Sequence, residues 1–272
     1  SLASNDLEIL PENFAEFGLK YSLREFSAAN NRIYRLPSSF GFLQAIRILD
    51  LSKNKITELP MVGQNNQANF LKEVEVLNLS NNNLSNVSNW FNQMSNFRKL
   101  QVCDLSNNRI EVMDEDSFKS AHNSLKSINL SRNCLKSVPK SLEICRYLKK
   151  VNFANNLLTE DGIPEELGCR QLLEFVDLSN NRLTKLPNHL RKKFYETKVL
   201  KLTGNNLTRI EKSIHHLQQL EELHIDINQL HDVNFPQSRK LKIVKLGGNN
   251  ELNTSKILTK LPNLTHTSLP TK

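Results

Sequence analysis

The chain has 272 residues, 38% of them hydrophobic, and a formal net charge of +8 from 36 Lys and Arg against 28 Asp and Glu. No apolar run approaches the roughly 20 residues that a bilayer-crossing helix needs, and no basic-then-apolar leader opens the chain. The basic balance is compatible with an acidic partner or nucleic acid, but the cations are dispersed and no aromatic residues interleave with them to stack bases, so a solvated basic surface is expected.

Taken in order, the chain opens with Leu2, Asn5 and Leu7, followed by Leu10-Pro11 and Phe14. The same spacing returns in Leu23, Phe26, Ala28, Asn31 and Ile33, with Leu36-Pro37-Ser38-Ser39-Phe40 behind it, and again in Ile46, Leu49, Leu51, Asn54 and Ile56. A polar stretch, Met61 to Asn69, then interrupts the period and is expected to bulge as a loop on an outer edge, where repeat stacks accept insertions. Val74, Leu77, Leu79, Asn82 and Leu84 give the clearest copy, and Trp90, Phe91 and Met94 follow in a longer, helical-looking segment whose tryptophan is expected to fill the wider gap. After Leu100, Cys103, Leu105, Asn108 and Ile110 comes Asp114-Glu115-Asp116, which reads as the acidic first turn of a helix. Three adjacent carboxylates cannot converge on one metal ion.

Leu125 to Leu135, Leu148 to Leu158 and Leu173 to Leu183 are regular copies, the second followed by a turn-rich Thr159 to Pro164. Thr197 holds the first apolar place of the next unit, ahead of Leu200, Leu202, Asn205 and Leu207, and Leu220 to Leu230 follows. In the last full copy Leu241, Val244, Leu246 and Asn249 fit, but Glu251 sits where a leucine belongs; Leu261 to Leu264 reads as the start of a further unit that stops.

The shared form is LxxLxLxxNxL, and its asparagines, from Asn5 to Asn249, lie 21 to 28 residues apart. The LxL core alternates, so it reads as a short strand with leucines inward and intervening residues outward. The asparagine falls where the chain turns away, and its amide can pair main-chain groups that the turn leaves open. One unit cannot bury its apolar edge alone, so the units must stack.

This pattern resembles the leucine-rich repeat family over nearly the whole chain. The resemblance implies an α/β solenoid, a horseshoe with a concave parallel β-sheet and irregular or helical convex returns, as one domain over residues 1–272 of about eleven repeats. Because the chain begins inside a repeat, it is expected to be a piece of a longer protein. Its LPxxF returns resemble those of intracellular Ras-suppressor-type proteins and of repeats that precede a metal-dependent serine/threonine phosphatase domain. Secreted members of the family usually carry capping cysteine clusters, whereas Cys103, Cys134, Cys145 and Cys169 are scattered. They read as reduced thiols, hence a cytoplasmic or other intracellular location. Asn-x-Ser/Thr matches such as Asn206 and Asn263 weigh little, because the repeat itself generates that triplet.

No zinc-protease, phosphate-loop, paired-cysteine or serine-hydrolase motif occurs, so no catalysis, metal or cofactor is expected. His224 and Asp226, two apart on one strand with His231 and Asp232 nearby, read as exposed polar sheet residues. The outward strand positions are where a partner is expected. Ile48, Val76 and Val102 form one apolar stripe and Phe175 with Val199 a second, beside Asp50, Asn78, Asp104, Lys150, Asp177, Lys201 and His224. Apolar patches beside charge suit an interface centre. The expected function is a protein–protein interaction module, an intracellular signalling scaffold or targeting domain. The alternatives are a non-catalytic regulatory segment of a larger enzyme, a phosphatase or cyclase, and an extracellular receptor ectodomain.

Overall fold

The computed structural model describes residues 1–16, 18–61, 71–91, 97–167, 172–186, 194–210, 212–235, 238–252 and 266–268. The strands are β1 (Glu25–Ser27), β2 (Ile48–Asp50), β3 (Val76–Asn78), β4 (Val102–Asp104), β5 (Ser127–Asn129), β6 (Lys150–Asn152), β7 (Phe175–Asp177) and β8 (Val199–Lys201). They continue as β9 (Arg209–Ile210), β10 (Glu222–His224), β11 (Asp232–Val233), β12 (Ile243–Lys245) and β13 (His266–Ser268). Eleven of them form one parallel sheet in chain order, and β9 with β11 forms a small parallel ribbon after the main turn. The chain is therefore a leucine-rich-repeat solenoid, as the spacing implies.

Alternation decides the register. In β1 to β8, β10 and β12 only the middle residue is buried and both neighbours face out. Equivalent positions pair across the stack, Ile48 with Val76 and Val76 with Val102, so each outward column runs straight along the sheet. A one-residue slip would turn every inward leucine to solvent, which is why this register is so strongly specified. Leu49, Leu51, Leu77, Leu79, Leu105, Leu130 and Val176 are fully buried in one continuous core.

The asparagines bind the coils together. Asn54 Nδ2 donates to the Ala28 carbonyl of the preceding coil at 2.9 Å and to Leu51 of its own at 3.1 Å, while its Oδ1 accepts the Ile33 N–H at 3.0 Å. Asn82, Asn108, Asn133, Asn156, Asn181, Asn205, Asn228 and Asn249 repeat this pattern, all buried. Each thus satisfies groups in two coils that no strand reaches. The residue before each is held at positive φ: Asn30, Lys53, Asn81, Asn107, Arg132, Asn155, Asn180, Gly204, Ile227 and Gly248. Asparagine and glycine tolerate that backbone best, which accounts for the Asn-Asn and Gly-Asn doublets. At Gly204 a side chain would also run into Asn180 Oδ1 of the neighbouring coil.

The returns are short. They comprise α1 (Leu19–Ser22), α2 (Ser88–Phe91) and 3₁₀ turns such as Ser38–Phe42, Lys140–Ile144 and Lys212–His216. In the Leu-Pro returns the proline opens the turn, as where the Phe40 N–H donates to Pro37 O at 3.0 Å, and Phe40 drops into the core. Trp90 fills the gap in its longer return: it is fully buried, stacks on Phe40 and donates Nε1–H to Pro60 O at 3.1 Å. Thr197 keeps its leucine site by donating its hydroxyl to Leu173 O at 2.9 Å.

The segment after Asp114-Glu115-Asp116 departs from expectation. It forms turns and a three-residue 3₁₀ helix, Lys119–Ala121, too short to present a helix dipole, and Asp114 instead caps the Asp116 N–H at 2.9 Å. At the other end Leu252 is buried in place of Glu251, which pairs with His231 Nδ1 at 2.9 Å, and β13 adds a strand beyond the last full copy. Met61 is exposed; the rest of the 61–69 insertion, Met94, Cys169 and Leu261 to Leu264 lie outside the described residues. No described helix is long and apolar enough to cross a membrane.

The open sheet face as the candidate binding surface

The strands place all twelve candidate residues on one face, in two parallel columns. The first column carries Ile48, Val76, Val102, Lys150, Phe175 and Val199; the second, two residues on, carries Asp50, Asn78, Asp104, Asp177, Lys201 and His224. Neighbouring strands lie about 4.8 Å apart, so Ile48, Val76 and Val102 make a continuous apolar stripe. Ile48 and Val102 are 39% and 38% exposed. Lys150, between the two apolar groups, is exposed as well.

The second column has two characters. From β2 to β7 its Asp and Asn side chains fold back onto the chain: Asp50 Oδ1 accepts the Ser52 N–H at 3.0 Å, and Asn78, Asp104, Asn129, Asn152 and Asp177 accept the equivalent N–H two residues on. Asp104 is further tied to the Ser106 hydroxyl at 2.6 Å and to Asn129 Nδ2 at 3.1 Å. These acids terminate strands as well as facing outward. At β8 the pattern stops, and Lys201, His224 and Lys245 succeed one another in register.

Lys201 Nζ lies 5.3 Å from the centre of the Phe175 ring, a cation–π arrangement. The His224 side chain is only 12% exposed, with Glu222 Oε2 3.3 Å from Nε2. Burial, then the charges of Lys245 and Lys201, push its pKa below the usual histidine value, and Glu222 opposes them. Asp226 does not join His224, because it accepts the Thr203 hydroxyl at 2.7 Å. Among the described residues, no three His, Cys, Asp or Glu side chains are grouped as metal ligands would be.

Sequence reasoning missed two features. Along the N-terminal edge of the strands runs a relay of ion pairs, Lys149–Glu174–Lys198 and Glu221–Lys242, at 2.9 to 3.2 Å. Hydrogen bonds from Lys198 and Lys149 hold the Glu174 carboxyl below its ordinary pKa. Their signal, a charged residue just before β6, β7, β8, β10 and β12, is in the sequence, but the partners meet only after stacking. On the return side a groove of about 650 Å³ is lined by Glu115, Lys140, Glu143, Glu160, Asp161 and Lys185. The turn-rich Thr159 to Pro164 stretch marks its wall.

Comparison with known proteins agrees with this architecture. The family profile described as Leucine rich repeat matches residues 98–158 and 171–230, and a second of the same description matches residues 73–94. The chain belongs to the leucine-rich repeat family. It is 31% identical over 217 residues to Tsukushi of Gallus gallus, covering 75% of this chain and 55% of that protein. It is 27% identical over 243 residues to adenylate cyclase of Schizosaccharomyces pombe, 82% of this chain but 14% of the cyclase. A leucine-rich-repeat protein of Leptospira interrogans superimposes with a TM-score of 0.68 at 25% identity, over 97% of this chain and 76% of that one. The chain thus spans only part of the length of these curated relatives, which include both intracellular and extracellular proteins.

Proposed function

We propose that the chain is a protein-recognition module that holds its partner on the concave sheet, through the residues of the two outward columns. The observation that carries this reading is the in-register apolar stripe of Ile48, Val76 and Val102, its ends exposed and Val76 half-buried, with the half-buried Phe175 and Val199 further along the same column. β-Branched residues suit strands for packing alone, but here they face solvent in a column where fold stability does not require them. Desolvating such a stripe against a partner, with charge beside it, matches the make-up of an interface centre. The fold is typically a non-catalytic interaction module, and relatives that are enzymes are so through other domains. We place the module inside the cell, as a scaffold or targeting domain in signalling, on its scattered cysteines.

A pull-down from cell extract tests this reading, with the parent chain beside Val102→Glu/Phe175→Glu and Val112→Glu/Ile144→Glu. Val112 and Ile144 are exposed apolar residues of the returns. A protein retained by the return-side pair and lost by the sheet pair is the expected outcome; loss through the return-side pair alone would place the site elsewhere. A second reading is a regulatory segment within a larger enzyme, favoured by the small fraction of the cyclase that the chain spans. It predicts a captured catalytic domain on the same polypeptide when the full reading frame is expressed.

A further inference from the structure

We infer that the C-terminal third of the concave sheet is a seat for an acidic peptide segment of the partner. A carboxylate side chain bridges Lys201 and Lys245 above His224, and an adjacent apolar side chain rests on Phe175 and Val199. This inference rests on the concave-face reading and narrows it to one chemistry.

The change of character in the second column is the starting point. Six successive strands use that position to cap the following turn, whereas β8, β10 and β12 place Lys201, His224 and Lys245 there. Three cationic or protonatable side chains on adjacent strands repel one another, so the fold gains nothing from their juxtaposition. Neither Lys201 nor Lys245 has a carboxylate within 4.0 Å among the described residues, in contrast to Lys149, Lys198 and Lys242 on the sheet edge. Among the described residues, His224 Nε2 is the one buried side-chain polar atom left without a hydrogen-bond partner, with the Glu222 oxygen 3.3 Å away. A buried polar atom without a partner is a cost that the fold carries. Such a group persists where another state of the molecule satisfies it.

The groups facing His224 are Lys201 on β8, Glu222 on its own strand and Lys245 on β12. Burial first, and the charges of Lys245 and Lys201 second, disfavour the protonated imidazole, and an anion between the two lysines offsets the second of these. The imidazole then takes up a proton and forms a charged pair with Glu222, which completes the unsatisfied atom. Binding is coupled to proton uptake at this one histidine and tightens as pH falls from about 8 to about 6. The same geometry selects a carboxylate over a phosphate. Glu222 stands beside the seat and repels a dianion more than a monoanion, and the cations are lysines, which lack the planar fork that matches phosphate bidentately. The Phe175 ring, already under Lys201, gives the neighbouring apolar residue its footing.

The probe is a short labelled peptide alternating leucine and glutamate, beside one alternating leucine and lysine, followed by fluorescence anisotropy and by NMR of the histidine rings. The acidic peptide is expected to bind more tightly at pH about 6 than at about 8. It should shift the His224 ring signals and raise that ring's titration midpoint, with the other six of the 7 histidines unchanged. Lys201→Gln/Lys245→Gln is expected to weaken binding about tenfold or more. Lys53→Gln/Lys136→Gln, two exposed lysines elsewhere, should change it by less than about twofold. Equal weakening by both pairs, or equal binding of the two peptides, would overturn the seat as general attraction to a basic surface. Shifts at the methyls of Ile48, Val76 and Val102 without any at His224 would overturn it while leaving the concave reading intact. Shifts confined to return-side residues such as Ile144 would overturn both.

Discussion

Ile227 stands where φ is +52°, in a line of positions otherwise held by Asn, Gly, Lys and Arg, and its side chain is 62% exposed. A β-branched residue pays about 1–2 kcal/mol to hold that backbone, and here no burial offsets it. Ile227→Asn is therefore expected to raise the stability by about 1 kcal/mol, read as a higher midpoint in urea unfolding. The ladder asparagines behave in the opposite sense. Asn133 donates to Leu105 O and Leu130 O at 3.0 Å each and accepts the Ile110 N–H at 3.0 Å, all buried. Asn133→Ala leaves those groups unpaired and should cost about 2–4 kcal/mol. The spacing in the sequence picks out the ladder asparagine but does not reveal what the asparagine before it does. The doublets Asn107-Asn108 and Asn180-Asn181 hold two unrelated jobs, one a backbone conformation and one a hydrogen-bond bridge.

Each strand carries a similar double duty. Alternation alone marks Asp104 and Val102 as outward residues of β4, and both face outward. It does not reveal that Asp104 also closes the turn after the strand, because that bond depends on where the next N–H points. Asp104→Lys is accordingly expected to cost about 1 kcal/mol, while Val102→Ser stays within about 0.5 kcal/mol; paired denaturant curves check both. On β10, His224 has a folded-state pKa below its unfolded value, so the unfolded chain binds the proton first and stability rises with pH through that range. The stabilisation is present above about pH 6.5 and is lost as pH falls toward the folded value. The urea midpoint should fall between pH about 7.5 and 5.5, and less steeply in His224→Gln. Glu174, held below its ordinary pKa by Lys198 and Lys149, loses its contribution only below about pH 4.5, outside that window.

Across the whole molecule the period makes the fold legible and the partner illegible. Leucines at fixed spacing dictate which side chains face the core, and each coil repeats that decision, so the sheet order and register follow from the sequence. The short returns are harder to read: the acidic run before Lys119–Ala121 matches a helix start locally, yet the chain must come back to the next strand within a few residues. The basic cluster of Lys201, His224 and Lys245 comes from residues 20 or more apart, yet the repeat spacing already aligns them in one outward column, and the parallel register bears that alignment out. What those columns grip is tested most directly by photo-crosslinking from single positions. A photoreactive phenylalanine analogue is placed in turn at Ile48, Val102, Phe175, Val112 and Ile144, and the captured partner is identified by mass. The same protein crosslinked from Ile48, Val102 and Phe175, and from neither return-side position, is the predicted result. Crosslinks to that protein from Val112 or Ile144, with none from the sheet, would contradict a concave recognition surface.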